Sequence, residues 1–245
     1  MTPPIGYDDL RLETVVNVAK MAAAAAITAP KSGGMLFLAG KHNFIETTII
    51  AERDVLAELA AWMRARGKER REAIWFRDAE VAEAIDAALL IGLVDWYPPN
   101  YDCGACGYAT CAEFLHETQP LRDGSADLEF KGPTCNMRDI DLGIAVGAAV
   151  KTVSQNGIDC RCQSRIVTAA RKLGIVKADV GVSLSLSMTP KSIGYDRTMP
   201  TVDFDTLDYP STGTLPIGEK GAGRYGGARN RQQPRKPLRD PRAAT

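Results

Sequence analysis

The chain has 245 residues, of which 45% are hydrophobic and 24% are charged, and its formal net charge is zero. That length suffices for one large domain or two small ones, and the composition is typical of a globular protein. The zero net charge argues against a chain that binds nucleic acid over its whole surface. The N-terminal segment has no signal-peptide pattern, and no apolar run approaches the roughly 20 residues of a membrane-spanning helix. We therefore expect a cytoplasmic protein.

The first half of the chain shows alternating helical and strand-like patterns. Residues 12–30 carry many alanines with apolar residues at helical spacing, which predicts a helix that ends at Pro30. The run MLFLAG (35–40) predicts a short buried strand. Residues 47–70 predict one long amphipathic helix with its basic residues near the C-terminal end. A further helix from Asp78 to about Leu90 is expected to lead into a strand at LLIGLVDW, although the pattern of this short apolar run fits a helix as well as a strand.

The second half predicts three helices and a strand. One helix begins at or near Cys111, and a polar loop leads from it to Cys135. Residues 139–157 predict a helix in which Gly143 and Gly147 would allow close packing against a neighbour. Residues 159–175 predict another helix, which Gly174 ends, and residues 178–188 alternate like a strand.

The C-terminal segment differs from the rest in composition. Residues 217–245 contain eight Lys or Arg against two acidic residues, with many Gly and Pro and almost no apolar side chains. Such a segment cannot bury enough apolar surface to fold alone. We expect residues 198–245 to form a flexible basic tail. A solvated tail and a docking arm for a partner protein are the two main interpretations. The charge balance of the rest of the chain offers no matching basic surface, which disfavours nucleic acid as the partner.

Four of the six cysteines form a pattern that indicates a metal centre. Cys103, Cys106 and Cys111 lie on one short turn, and Cys135 follows from further along the chain. Iron–sulfur clusters are typically held by four cysteine sulfurs. Glycines inside the turn allow the backbone to wrap a bulky group and to point N–H groups towards it. The sequence therefore predicts a [4Fe-4S] cluster on these four cysteines.

Two alternatives stay open at this point. A structural zinc site usually combines two CxxC pairs, and the sequence has only one. The cysteines could also be unliganded. Cys160 and Cys162 are separated by one residue in a predicted helix, where their side chains would point in different directions. We interpret them as buried thiols, and a redox or additional-ligand role for one of them is the alternative.

The run DCGACGYATCAEF (102–114) resembles the iron–sulfur module of electron-transfer subunits, in which CGxCGxxxC precedes a helix. Together with GPTCNMRDIDLGIAVGAAVKTVSQNGID, it makes about residues 10–197 similar to an uncharacterised family of prokaryotic ferredoxin-domain-containing proteins. The chain departs from that family at GIDCRCQSR, where no cysteines are expected.

The resemblance implies a fold and a cofactor. The overall shape of that family is similar to the flavin-dependent nitroreductases. The resemblance therefore implies an α+β fold, a nitroreductase-like three-layer sandwich formed by residues 1–197, with the iron–sulfur loop inserted at 101–135. The run AAITAPKSGG resembles the loop with which nitroreductases hold the flavin phosphate. The resemblance thus implies FMN binding by Lys31, Ser32 and Gly33, and a homodimer.

Two functional hypotheses follow. The first is a redox protein whose [4Fe-4S] cluster passes single electrons to a bound flavin or to a partner protein; with a flavin it would be a flavin-dependent oxidoreductase. The second is an assembly subunit in which the cluster, or zinc, only stiffens a loop and the basic tail docks to a larger complex. No Ser-His-Asp, HExxH or Walker-type pattern is present, which disfavours hydrolytic and nucleotide-driven chemistry.

Overall fold

The computed structural model describes residues 5–33, 43–125 and 128–195. The predicted strand at 35–40 and the predicted tail at 198–245 lie outside these residues. The described part contains six α-helices and four β-strands. The helices are α1 (Tyr7–Thr28), α2 (Arg53–Arg70), α3 (Ala73–Ala84), α4 (Cys111–Asp123), α5 (Asn136–Gln155) and α6 (Arg165–Lys172). The strands are β1 (Ile45–Ile50), β2 (Ala87–Leu93), β3 (Asp159–Gln163) and β4 (Val180–Ser187).

The four strands form one antiparallel sheet in the order β1-β2-β4-β3. The central strand β2 is buried along its whole length, because its residues are apolar and helices cover both of its faces. Ala87, Leu89 and Ile91 pack into a core with α1 and α5. Ala88 and Leu90 point to the other face and pack with α2, α3 and α6. The predicted α+β class is confirmed.

The helix predicted over residues 47–70 is wrong in its first part. Residues 47–50 (TTII) belong to β1 and pair with residues 88–91 of β2, and the helix begins only at Arg53. β-Branched side chains favour the extended backbone, and the neighbouring strand supplies its hydrogen-bond partners. The helix ends at Arg70, followed by Arg71 in the left-handed conformation.

The helix predicted over residues 159–175 is also wrong in its first part. Residues 159–163 form β3, which pairs with β4, and helix α6 begins at Arg165. Cys160 and Cys162 therefore lie on a strand, where residues two apart point to the same face. The earlier expectation that their side chains diverge is corrected accordingly.

The helix at residues 139–157 is confirmed as α5, but its glycines do not pack closely. A Cβ atom added to Gly143 or Gly147 would meet no atom within 4 Å in the described part of the chain. Both glycines lie on the exposed face of α5, next to the exposed Ile140 and Ile144. Of the helices in the described ranges, none has the length and apolar character that crossing a bilayer requires.

Candidate metal centre

The structure brings the four predicted cysteine ligands to one pocket. The pocket lies where the segment between β2 and α4 meets the start of α5. Cys103, Cys106 and Cys111 line it from the first segment, and Cys135 lines it from the second. The remaining lining residues are Pro98, Pro99, Asp102, Gly104, Ala105, Tyr108, Thr110, Phe114, Asn136 and Met137.

Left-handed backbone shapes the cysteine turn. Gly104 has φ +70° and Gly107 has φ +91°, values that L-residues rarely adopt. The Gly107 N–H donates to the Gly104 carbonyl at 2.9 Å and closes a tight turn around Cys106. The two glycines are therefore required by backbone geometry, as the sequence suggested.

Asp102 holds the two ends of this turn together. Its carboxylate accepts a hydrogen bond from the Cys111 N–H at 2.7 Å, and its own backbone is left-handed with φ +48°. Asp tolerates this conformation better than most residues because its short side chain can bond locally. The contact fixes the spacing between the first and third cysteines of the motif.

Two of the four thiols lie at helix N-termini. Cys111 is the first residue of α4, after the N-cap Thr110, whose hydroxyl accepts from the Glu113 N–H at 3.1 Å. Cys135 is the N-cap of α5, and its carbonyl accepts from the N–H groups of Arg138 and Asp139. Helix N-termini carry partial positive charge, which favours a negatively charged group bound beside them.

Asn136 connects the two segments that carry the thiols. Its side-chain amide donates to the Ala105 carbonyl at 2.7 Å, so the residue after Cys135 is anchored to the residue before Cys106. This contact joins positions that are 31 residues apart in the sequence. The fourth cysteine is thus held at the turn by a bond that the cysteine pattern did not reveal.

Burial differs among the four cysteines. Cys111 and Cys135 are buried, at 8% and 5% exposure, whereas Cys106 is partly buried and Cys103 is exposed. Phe114 and Tyr108, with ring centroids 5.7 Å apart, form an aromatic wall on the buried side. The pocket therefore has an apolar inner side and an outer edge at Cys103 that solvent reaches.

The donor set of the pocket fits an iron–sulfur cluster. Thiolates select soft or borderline centres, including iron–sulfur clusters and zinc. Asp102 is the one carboxylate that lines the pocket, and it is bonded to the Cys111 N–H. Across the described residues, no three His, Cys, Asp or Glu side chains are grouped so that they could hold a metal ion. The four thiols line a common pocket without meeting at a single point.

The predicted flavin-phosphate residues lie in a short 3₁₀ turn, Lys31–Gly33, after α1. The Lys31 ammonium donates to the Thr28 carbonyl at 2.7 Å. The Ser32 hydroxyl donates to the Asp141 carboxylate at 2.8 Å. Both polar side chains of the turn therefore have partners within the chain, and FMN binding by this turn stays a prediction.

Sequence reasoning missed a buried arginine between this turn and the cysteine pocket. Arg138, only 2% exposed, donates to the Tyr97 carbonyl at 2.7 Å and to the Asp141 carboxylate at 2.9 Å. It also donates to the Ser32 hydroxyl at 3.3 Å. The i,i+3 spacing of Arg138 and Asp141 on a helix was a visible signal for the ion pair, but not for its burial.

Cys160 and Cys162 lie far from the pocket. The Cys160 thiol interacts with Ser154, near the end of α5 opposite to Cys135. At 1.5 Å per residue, Cys135 and Ser154 are separated by about 28 Å along the helix. The structure therefore does not bring these two thiols to the four-cysteine site, and an additional-ligand role there has no geometric support.

Comparisons with known proteins agree with the location of this site. A family model described as "Uncharacterized protein containing a ferredoxin domain (DUF2148)" matches residues 131–197. Another, described as "Putative Fe-S cluster", matches residues 99–117, which contain the three-cysteine turn. An "Uncharacterized protein" from Archaeoglobus fulgidus is 38% identical over 189 residues, which cover 77% of this chain and 95% of the relative. The chain therefore belongs to the uncharacterized family of proteins that contain a ferredoxin domain.

Proposed function

We propose that the protein carries one [4Fe-4S] cluster on Cys103, Cys106, Cys111 and Cys135, and that it passes single electrons to a bound flavin or to a partner protein. The observation that carries this proposal is that four thiols from two separate segments line one pocket. An iron–sulfur cluster supplies a centre that takes up and releases one electron at a time.

The residues around the pocket suit an added negative charge. The N-termini of α4 and α5 both face the site, since Cys111 is the first residue of α4 and Cys135 is the N-cap of α5. Partial positive charges at helix N-termini favour thiolates and the more negative, reduced state of a bound centre. The aromatic wall limits water on one side and so strengthens these electrostatic effects.

The exposed edge at Cys103 is where a redox partner would approach. Cys103 is exposed while Cys111 and Cys135 are buried, so the shortest path from a docked protein to the pocket enters at the turn. Tyr101, next to this edge, is 63% exposed and offers an apolar contact for a docking surface.

A flavin at the Lys31–Gly33 turn would lie near the same pocket. Ser32 bonds to Asp141, which is six residues after Cys135 on α5, or about 9 Å along the helix. A nitroreductase-like body with FMN at this turn would then receive single electrons from the cluster and deliver two to a substrate. Phosphate binding by Lys31 would require its bond to the Thr28 carbonyl to be exchanged.

A homodimer is part of the proposal. In the described part of the chain, seven exposed large hydrophobic residues lie on α1 and α5, the helix pair that covers one face of the sheet. On α5 the exposed glycines sit beside exposed isoleucines, which gives a groove next to a ridge. The residues are Tyr7, Leu10, Leu12, Met21, Ile27, Ile140 and Ile144.

Anaerobic purification with metal, sulfide and flavin analysis tests the proposal. We expect about four iron and four sulfide per chain, together with visible absorbance that dithionite bleaches reversibly. Cys135→Ser and Cys106→Ser should lose the cluster. Cys162→Ser, at an exposed thiol outside the pocket, is the matched control and should keep it.

Different results would support different functions. A colourless protein with stoichiometric zinc would refute the redox role and favour an assembly subunit. FMN released on heating, with less release from Ser32→Ala than from wild type, would support the flavin site. A protein that contains a cluster but no flavin would support electron transfer to a partner protein. Light scattering on a size-exclusion column measures the oligomeric state, and a monomer would refute the dimer.

A further inference from the structure

Cys160 and Cys162 form a pair of thiols that the four-cysteine site does not use. They lie on β3, a strand at the edge of the sheet. Cys160 is opposite Leu186 and Cys162 is opposite Leu184 in the β3–β4 register. Directly opposite residues in an antiparallel pair share a face, so both thiols lie on the face where these leucines pack with α1 and α5.

The two sulfurs are close enough to influence one another. The pKa of Cys160 is raised to about 11, first by burial and then by the negative charges of Cys162 and Asp159. Partial desolvation also raises the pKa of the Cys162 thiol. Both thiols are therefore protonated at neutral pH, which makes each of them a poor nucleophile alone and unsuited to fast disulfide exchange.

The donors on this face of β3 are sulfur atoms only. The intervening residues of the strand point to the opposite face, where the Asp159 carboxylate accepts from the Ser192 hydroxyl at 3.0 Å. On that side Arg161 donates to the Gly194 carbonyl, and the Gln163 amide donates to the Ser185 hydroxyl. A hard cation, which prefers oxygen ligands, finds no carboxylate from β3 beside the two thiols.

Solvent exposure differs between the two thiols, and this difference suits the capture of an ion from solution. Cys162 is exposed, whereas Cys160 is partly buried against the core and interacts with Ser154 of α5. An incoming ion would meet Cys162 first and would then be held by the second sulfur. Chelation by two thiols on one rigid strand raises the effective concentration of the second sulfur.

The geometry points to a second binding site in which Cys160 and Cys162 together chelate one soft, thiophilic centre, either a monovalent ion such as Cu(I) or a trivalent metalloid such as As(III). Soft thiolate ligands select such centres over hard cations. Binding of Cu(I) forms two S–Cu bonds and releases two protons, with no change in oxidation state. Binding of a trivalent arsenical of the form R–As=O forms two S–As bonds, breaks the As=O bond and releases that oxygen with both thiol protons as one water, with no change in oxidation state.

Two probes test the site on the cluster-loaded protein under anaerobic conditions. The first is phenylarsine oxide, followed by intact mass and by mapping of the peptide that contains both cysteines. The second is Cu(I) in competition with a chromophoric Cu(I) chelator. We expect one equivalent bound at this peptide, with the visible spectrum of the cluster unchanged.

Single substitutions separate chelation from binding by one thiol. Cys162→Ser changes an exposed side chain and should keep the wild-type melting temperature, yet it should weaken binding by at least about tenfold because the second sulfur is lost. Cys160→Ser should weaken binding similarly. Wild-type protein alkylated at both thiols serves as the blank for each probe.

The outcomes are distinguishable from those for the four-cysteine site. Binding of either probe at this peptide, weakened by each single substitution, supports the site. The probe that binds identifies the centre as an ion or a metalloid. The inference is overturned if neither probe modifies this peptide, or if either single variant retains wild-type affinity. Bleaching of the cluster without modification of this peptide would place the probe in the four-cysteine pocket and would also overturn it.

Discussion

Replacement of Asp102 tests whether the cysteine turn is held by the contact that the structure shows. Asp102→Ala removes the acceptor of the Cys111 N–H, a bond of 2.7 Å, and puts Ala at a left-handed backbone position. Hydrogen bonds to charged groups contribute about 1.5–3 kcal/mol, and the low end applies because Asp102 is exposed. Left-handed backbone costs a non-glycine residue about 1–2 kcal/mol. The closed turn should therefore lose about 3 kcal/mol.

That loss corresponds to a change of about 100-fold, since each 1.4 kcal/mol is tenfold. The assay is anaerobic release of iron from the proposed cluster to a chromophoric Fe(II) chelator. Asp102→Ala should release iron up to about 100-fold faster than wild type, if opening of the turn precedes release. Asp102→Asn is the matched control, because Asn keeps the oxygen acceptor and tolerates the left-handed conformation. It should stay within about tenfold of wild type.

A second readout makes the test independent of the cluster. Hydrogen exchange at the Cys111 amide in the metal-free protein should be faster in Asp102→Ala and nearly unchanged in Asp102→Asn. The reasoning is refuted if Asp102→Ala matches wild type in both measurements. It is also refuted if the Asn and Ala variants are equally affected, because the acceptor atom would then be irrelevant.

Three further predictions concern backbone conformation, packing at a glycine and the reactivity of Cys160. Gly107→Ala should destabilise the protein by about 1–2 kcal/mol, because φ is +91° there although an added Cβ would meet no atom. Gly143→Ala should stabilise the protein by about 0.5–1 kcal/mol, because alanine favours the helix more than glycine does and the added Cβ again meets no atom. Gly92→Ala would place Cβ 2.3 Å from the Ala178 Cβ and should cost about 1–3 kcal/mol. Alkylation of Cys160 should accelerate with pH up to about 11, because only the thiolate reacts.

Denaturant unfolding of the loaded protein measures the glycine variants, and iodoacetamide kinetics with peptide mapping measures the thiol. Equal effects of the substitutions at Gly107 and Gly143 would contradict the backbone argument, and a silent Gly92→Ala would contradict the packing argument. Because the folded pKa of Cys160 is raised, the unfolded chain ionises first, so this thiol lowers stability as pH rises from about 9 to 11. A rate of Cys160 alkylation that levels off near pH 9 would contradict the raised pKa of this thiol.

The local parts of the site could be predicted from the sequence. The spacing of Cys103, Cys106 and Cys111, the glycines between them and the start of α4 all depend on interactions within a few residues, and the structure agrees with each. The α+β class was likewise predictable, and it is confirmed by the observed helices and sheet.

Long-range strand pairing explains the two segments for which the sequence analysis predicted the wrong secondary structure. Residues 47–50 and 159–163 look helical together with the segments that follow them, yet they are strands because β2 and β4 supply their hydrogen-bond partners from distant parts of the chain. Strand formation depends on such partners, whereas helical periodicity is read within one segment.

The sequence by itself determined the four thiols of the predicted site and the glycines that shape the turn around three of them, because thiol chemistry and glycine conformation are properties of individual residues. Only the tertiary structure decided that Cys135 lines the same pocket as the other three, next to the Asn136 contact with Ala105, and that Arg138 is buried beside that pocket. It also decided that Cys160 and Cys162 share one face far from that site. Each of these outcomes depends on contacts between residues distant in the chain, for which a single sequence has no local signal.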